Sequence, residues 1–281
     1  MIGLLVAIAL AGAAGLAVYA FWIEPRRLVV TRVEVAAPAW PAGAPDLRVV
    51  ALADLHAAGP HITPDRIAAI VARANAERPD LVALLGDYVF ETWARTSFVP
   101  PETVAAALAG LRARLGVFAV IGNHDWALDG VRVRRALEGA GIPVLDNAAR
   151  RVEADDGFAF WVAGVGDRDV DRDDLPGTLT RVTNGAPVLL LTHSPDLFPD
   201  VPERVALTLA GHTHGGQCDL PVLTRYVIPS RYGRRFSYGH IVERNRHLVV
   251  SGGLGCALLP VRFRRPPEIV VVTLRAAAAR R

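Results

Sequence analysis

The sequence contains no lysine; its 31 basic residues are all arginine, which reads as a GC-rich coding bias. Cysteine is scarce. Cys218 and Cys256 form no C-x-x-C pair, which excludes a zinc ribbon or a disulfide scaffold. Two reduced thiols are the simplest state, and a single Cys218–Cys256 bridge is the alternative. A strong charge is also missing. The formal net charge of +3 suits an anionic substrate or a lipid surface and does not point to nucleic acid. There is no internal repeat, and the low-complexity sequence is confined to the tail AAAARR, 276–281. A chain of 281 residues with 52% hydrophobic content can bury a core without disulfides or structural metals. Metal-capable side chains are then free for chemistry.

Charged side chains are absent from residues 1–23, MIGLLVAIALAGAAGLAVYAFWI. This run meets the roughly 20 residues that a helix needs to cross the hydrocarbon core. Tyr19 and Trp22 stand at its end, where amphipathic aromatics favour the interface, and Glu24-Pro25-Arg26-Arg27 stops it. A cleaved signal peptide is the competing reading, but no positive n-region precedes the apolar run. We read the segment as a retained single-pass anchor in a bacterial cytoplasmic membrane. Arg26, Arg27 and Arg32 follow the span and place the remainder of the chain on the cytoplasmic side. The expected divisions are the anchor at 1–23, a connector at 24–46, a catalytic domain at 47–275 and a tail at 276–281.

From Leu47 onward, short apolar runs alternate with helical patterns. LRVVALADL, LVALLGD and VFAVIGNHD read as strands. The helix over 63–79 has Thr63 as N-cap and Pro64 at its first position. Further helices are expected over 100–116, closed by Gly116, and over 131–141. This alternation implies βαβ units and a largely parallel sheet. The second half is mostly strands and suggests a second sheet packed on the first.

Five of these strands end in metal-capable residues: Asp54 and His56; Asp87; Asn123, His124 and Asp125; His193; His212 and His214. In open α/β sheets, sites assemble at the carboxyl ends of strands, so distant residues converge on one edge. Imidazole and carboxylate without cysteine suit Mn²⁺ first, with Fe or Zn²⁺ as alternatives. The set exceeds one tetrahedral site, and two ions sharing one carboxylate fit better. Gly86, Gly122 and Gly211 each precede a ligand and are expected to permit sharp turns there. Gly215 and Gly216 could offer backbone N–H groups to an anion.

The ordered motifs D-x-H (Asp54, His56), G-D (Gly86, Asp87), G-N-H-D (Gly122 to Asp125), a lone His193 and G-H-T-H (Gly211 to His214) resemble those of the calcineurin-like metallophosphoesterases. GHTHGGQ and the late SGGLG…LPVRFRRPPEIVVVTL look like the bacterial branch with an N-terminal membrane segment. That branch includes phosphodiesterases and relatives acting on UDP-2,3-diacylglucosamine. The resemblance implies an α/β fold of two packed mixed β-sheets flanked by helices, four layers in all. It implies that Asp54, His56 and His214 bind one divalent ion, that Asn123, His193 and His212 bind a second, and that Asp87 bridges them. His124 would stabilise the transition state or protonate the leaving oxygen, Asp125 would orient His124, and a metal-bound hydroxide would attack in line.

Other residues carry less. The ordinary reading of Arg225, Arg231, Arg234 and Arg235 is a solvated face, with a phosphate clamp as the alternative. Residues 88–100 form a rim or a packed loop, and His61 could reach the rim. His240 and His247 fall in strands. The function expected is a phosphodiesterase or phosphatase acting on a phosphorylated small molecule or a lipid-linked substrate. The narrower alternative is a UDP-2,3-diacylglucosamine pyrophosphohydrolase, which an apolar groove beside the metals would favour. A non-catalytic metal-binding scaffold is the remote one.

Overall fold

The computed structural model describes residues 1–90, 97–220 and 228–278. The chain opens with helix α1 (Ile2–Val18), which runs on through a π-type turn (Tyr19–Ile23) and a 3-10 turn (Glu24–Arg26). Over Ile2–Arg26 this helix is long and apolar enough to cross a membrane. None of the side chains of α1 is buried against the protein. Its apolar side chains are left outside on every face.

Strands β1 (Val29–Ala37), β2 (Leu47–Leu52), β3 (Leu81–Leu84) and β4 (Val117–Ala119) join the last strand, β11 (Glu268–Ala276), in one sheet ordered β1-β11-β2-β3-β4. The steps β2 to β3 and β3 to β4 are parallel, as the alternating pattern predicts. β11 inserts antiparallel to β2 and parallel to β1. The second sheet contains β5 (Ala148–Glu153), β6 (Ala159–Gly164), β7 (Val188–Leu191), β8 (Val205–Ala210), β9 (Gly239–Glu243) and β10 (Arg246–Val250), in the order β5-β6-β7-β8-β10-β9. Its four middle strands are parallel, and both edge strands run antiparallel.

Strand periodicity sorts the side chains into layers. Val49 and Ala51 of β2 and Leu81 and Ala83 of β3 meet Leu189 and Leu191 of β7 and Leu207 and Leu209 of β8 between the sheets. Val50, Leu52, Val82 and Leu84 point the other way, into helices α2 (Pro64–Ala76), α3 (Pro101–Leu108) and α4 (Asn123–Gly139). The outer face of the second sheet is covered by α5 (Leu175–Thr180), with Leu197, Phe198 and Phe236. Two mixed sheets flanked by helices are thus the fold expected from the sequence.

Two local expectations change. The segment 24–46 is not a bare connector: nine of its residues form β1, which pairs along its whole length with β11, and Trp40 is buried between Phe158 and Phe160. The helix expected to close at Gly116 stops at Leu108. Asn75 of α2 donates from Nδ2 to the Gly110 carbonyl (2.9 Å) and accepts at Oδ1 from Arg112 N–H (2.8 Å), holding 110–112 in a turn. The helix expected from Val131 is there: α4 is broken at Asp129 (φ −174°, ψ 86°), whose Oδ1 accepts from Arg132 N–H (3.0 Å), and a separate first stretch opens at Asn123, where Asp125 accepts from Gly122 N–H. Of the segment 88–100, residues 91–96 lie outside the described residues, and Tyr88 and Phe90 are buried.

Candidate metal centre

The carboxyl ends of β2, β3, β4, β7 and β8 lie on one side of the two-sheet stack and are stitched to one another. Asp54 N–H donates to Gly86 O (3.1 Å), His56 N–H to Asp87 O (2.9 Å) and Gly211 N–H to His193 O (3.0 Å). His212 N–H crosses between the sheets to Asp54 Oδ1 at 2.9 Å. Five ligand candidates sit in the left-handed region: Asp54 (φ 53°), His56 (43°), Asp87 (56°), His212 (69°) and His214 (51°). Such a conformation in a non-glycine residue costs on the order of 1 kcal/mol, and the cross-stitched backbone holds it.

The preceding glycines serve this crowding in different ways. Gly86 needs its freedom (φ 90°), and a Cβ there would also lie 2.7 Å from Gly122 N. Gly211 has no left-handed φ, but a Cβ on it would come within 2.8 Å of Asp54 Oδ2. Its reason is close approach, not the turn expected. Gly216 N–H is used inside the loop, on Thr213 O, and not kept for an anion.

All seven predicted ligands converge. Asp54, His56 and His214 form one group whose candidate donor atoms lie within 4.8 Å of one another; Asp87, His193 and His212 form a second. His56 Nε2 lies 2.9 Å from His214 Nε2, and His193 Nε2 lies 3.2 Å from His212 Nδ1 and 3.1 Å from Asn123 Oδ1. Asp87 Oδ2 stands between the groups, 3.5 Å from His56 Nε2 and 3.2 Å from His193 Nε2. Asp54 Oδ2 is buried and has no hydrogen-bond partner among the described residues. Buried nitrogens facing nitrogens, an orphaned carboxylate oxygen and one shared carboxylate fit two divalent cations. A mixed nitrogen and oxygen set fits borderline or hard ions.

Neighbours fix the tautomers that ligation needs. His193 Nδ1–H donates to Leu85 O at 2.7 Å, so Nε2 faces the cluster. His212 Nε2 lies 3.2 Å from Asp169 Oδ2, which leaves Nδ1 for the cluster. Burial, His56 and the Arg262 guanidinium, 3.3 Å from its Nδ1, hold His214 well below its ordinary pKa, in the neutral form that binds metal. Burial pushes the Asp87 carboxyl up, but His193, His56 and His124 outweigh it and hold it well below the carboxylate range. Against its own burial, His193 is raised well above its usual value by Asp87. Burial raises Asp54 to about 7, against the pull of His193 and with the push of Asp87.

His124 is half-buried on the cavity side, its ring 5.0 Å from His56 and 4.6 Å from Phe90, and its N–H donates to Asp87 Oδ1 at 2.9 Å. Its ring nitrogen also groups with His56 and Asp87. Asp125 differs from expectation. Its Oδ2 accepts from Asp87 N–H (2.8 Å) and Gly122 N–H (3.0 Å), and its Oδ1 from Tyr88 N–H (2.8 Å) and Val89 N–H (3.2 Å). Four amides take up the carboxylate, so Asp125 holds the loop that carries Asp87 and does not orient His124.

Sequence reasoning missed three residues. Asp169 holds His212, the buried Asp167 keeps Oδ2 without a hydrogen-bond partner among the described residues, and Arg262 lies against His214. The cluster D-R-D at 167–169 after β6 was the available signal. The arginine cluster is a paired, solvated face: Arg234 meets Asp219 and Arg235 meets Glu243, while Arg225 lies outside the described residues. His240 and His247 stack on each other across β9 and β10. His61 is buried with Nε2 3.1 Å from Pro260 O and is not among the residues that line the cavity. Both cysteines keep the thiol form, and burial pushes the Cys218 thiol up, with Cys256 nearby adding to it.

A cavity of about 370 Å³ opens over the cluster. One wall is His56, Asp87, Asn123, His124, His212 and His214; the other is mainly apolar, from Cys218 and Pro229 to Ala257, Leu258, Leu259 and Val261, and Thr213, Gly216 and Gln217 complete the lining.

Residues 47–216 match the family described as calcineurin-like phosphoesterase. YkuE, a metallophosphoesterase of Bacillus subtilis, is 31% identical over 279 residues, 98% of this chain and 95% of its own length. YaeI, a phosphodiesterase of Escherichia coli, is 30% identical over 233 residues, 81% and 82% of the two chains. LpxG, a UDP-2,3-diacylglucosamine pyrophosphatase of Chlamydia trachomatis, is 28% identical over 313 residues, 91% and 92% of the two. With its motifs in order and its ligands gathered at one sheet edge, the chain belongs to the calcineurin-like phosphoesterase family and is a metal-dependent phosphoric ester hydrolase.

Proposed function

We propose that the chain hydrolyses the phosphoester or phosphoanhydride of a lipid-linked substrate at a membrane surface. The observation that carries this reading is the two-sided cavity, with metal-ligating side chains on one wall and Ala257, Leu258, Leu259 and Val261 on the other. A small polar phosphate ester gains nothing from the second wall, whereas an acyl chain does. UDP-2,3-diacylglucosamine is the substrate of stated chemistry that this favours, and LpxG, similar along most of both chains, acts on it.

In this reading Asp54, His56 and His214 hold one ion, Asn123, His193 and His212 the other, and Asp87 serves both. Two divalent ions bound there, Mn²⁺ by preference, supply Lewis acidity and lower the pKa of water. Asp87, gripped by the Asp125-held loop, fixes the spacing of the two groups. His124, half-buried at the mouth, donates a proton to the leaving oxygen or a hydrogen bond to the phosphoryl group. The helix Ile2–Arg26 anchors the protein, with Arg26, Arg27 and Arg32 placing the catalytic domain on the cytoplasmic side.

The full chain, in detergent or nanodiscs with Mn²⁺, would be offered UDP-diacylglucosamine, bis-p-nitrophenyl phosphate and p-nitrophenyl phosphate, with His124→Ala as control. Preferred cleavage of the lipid nucleotide supports the reading. Preference for the simple diester refutes the lipid-linked substrate and leaves a phosphodiesterase of polar esters.

A further inference from the structure

The loop 256–263 has two flanks. One forms the apolar wall of the cavity through Ala257, Leu258, Leu259 and Val261. The other is fastened to the end of the N-terminal helix. Arg262 N–H donates to Ala20 O at 2.9 Å, and the Phe263 ring meets Tyr19 edge-on at 6.3 Å. His61 lies between the Pro260 carbonyl (3.1 Å) and the Trp22 ring (6.2 Å). Beyond the loop, Arg265 N–H donates to Glu24 Oε1 at 2.6 Å.

These contacts set a depth. The uncharged run ends at Ile23, and a helix rising about 1.5 Å per residue needs roughly 20 residues to cross a hydrocarbon core of about 30 Å. Charge follows at once in Glu24, Arg26 and Arg27, so the hydrocarbon boundary lies near Ile23, and Ala20, three residues earlier, lies within about 4.5 Å of it. A loop bonded to the Ala20 carbonyl lies there too. Its composition agrees: Leu258 is 73% exposed and Leu259 47%, beside the exposed Phe21, Trp22 and Ile23. Arg26, Arg27 and Arg264 are exposed just beyond, where phosphate headgroups stand.

We propose that residues 257–261 are immersed in the bilayer interface and form a lateral portal. Through it the acyl chain of a lipid in the same leaflet lies along Leu258, Leu259 and Val261 while its phosphate reaches the metal-ligand wall. This rests on the lipid-linked reading above for the identity of the occupant. It does not rest on that reading for the position of the loop.

The test uses the full chain in nanodiscs of phosphatidylethanolamine and phosphatidylglycerol. Leu258→Cys, made in a Cys218→Ser, Cys256→Ser background, carries a nitroxide, and its collision rates with oxygen and with a water-soluble nickel chelate are compared. Ile23→Cys gives the reference for the boundary. We expect the label at 258 to favour oxygen as the label at 23 does; a label that favours the nickel chelate overturns the portal whatever the substrate is. In a second arm, Leu258→Asp/Leu259→Asp is assayed on UDP-diacylglucosamine in the same nanodiscs and on bis-p-nitrophenyl phosphate in solution. We expect the first rate to fall on the order of tenfold relative to the second. Equal retention of both rates by the double variant overturns passage through the loop. An oxygen-favouring label with no wild-type turnover of the lipid nucleotide refutes that substrate and upholds the immersed loop.

Discussion

The metal-ligand wall of the cavity draws its side chains from four strand ends in two sheets, with His193 of a fifth behind them, while the apolar wall comes chiefly from one loop, 256–263. The first is over-determined: most of its residues are buried, several are held at left-handed φ, and their backbones are bonded across the sheets. The second is exposed and tied to a helix that lies outside the globular body. Chemistry that tolerates no misplacement is built on the rigid edge, and the surface that selects a substrate is built on a loop. Changes in the first wall should therefore reduce turnover of every phosphoester alike, and changes in the second should separate one substrate from another.

The largest effect should come from Asp87→Asn. The amide weakens the shared ligand of both groups, so both ions should be lost together and hydrolysis of bis-p-nitrophenyl phosphate and lipid-linked substrate should stop. Metal content by mass spectrometry checks it; two full-occupancy ions would contradict the shared carboxylate. Next is His124→Ala, which should keep both ions and lower kcat by about 10²- to 10⁴-fold on either substrate. A loss confined to one substrate would move His124 from the chemistry to specificity.

Metal binding should depend on pH in a fixed direction. Burial raises Asp54 to about 7 in the metal-free protein, above its unfolded value of 3.8. A carboxyl raised in this way binds more protons folded than unfolded between those values, so its contribution to metal-free stability falls as pH rises through that window. An ion must displace that proton. Below pH 7, Mn²⁺ affinity should drop by about tenfold per pH unit per displaced proton, and the rise in Tm on adding Mn²⁺ should be greater at pH 8 than at pH 5.5. A Tm increment independent of pH would exclude a proton held at Asp54.

Asp169 tests how far the rigid wall extends. Asp169→Ala should weaken metal binding by about 10- to 100-fold, because His212 loses the partner that selects its tautomer. Asp169→Asn, which still accepts from Nε2–H, should recover part of the loss. Equal defects in the two variants would indicate a structural role alone. This residue also shows what the sequence made legible. The ligands could be read because imidazoles and carboxylates at the ends of apolar strands are out of place in a core, and five such ends in order leave few alternatives. Asp169 could not, because it follows a short loop among other acidic residues, and its meaning depends on a 3.2 Å approach to His212. β1 was hidden for a similar reason: its partner β11 lies at the far end of the chain, and nothing local marks such a pairing. Asp125 was misread because the family resemblance assigned it to His124, whereas the turn that opens α4 directs it onto four amides.

The smallest expected effect is the most informative about the apolar wall. Glu24 is fully buried where the helix meets the domain, and its Oε1 accepts from Arg265 N–H. Glu24→Ala leaves that buried donor without its partner, at a cost of about 1–3 kcal/mol. The damage is local to the junction that holds loop 256–263 against Ala20, and the strand ends that carry the ligands do not depend on it. Metal content and kcat on bis-p-nitrophenyl phosphate should therefore stay as in the wild type, while KM for a bilayer-borne substrate rises several-fold. If instead both substrates lose kcat together, the helix junction supports the metal wall as well, through Arg262 and His214, and the two walls are one mechanical unit.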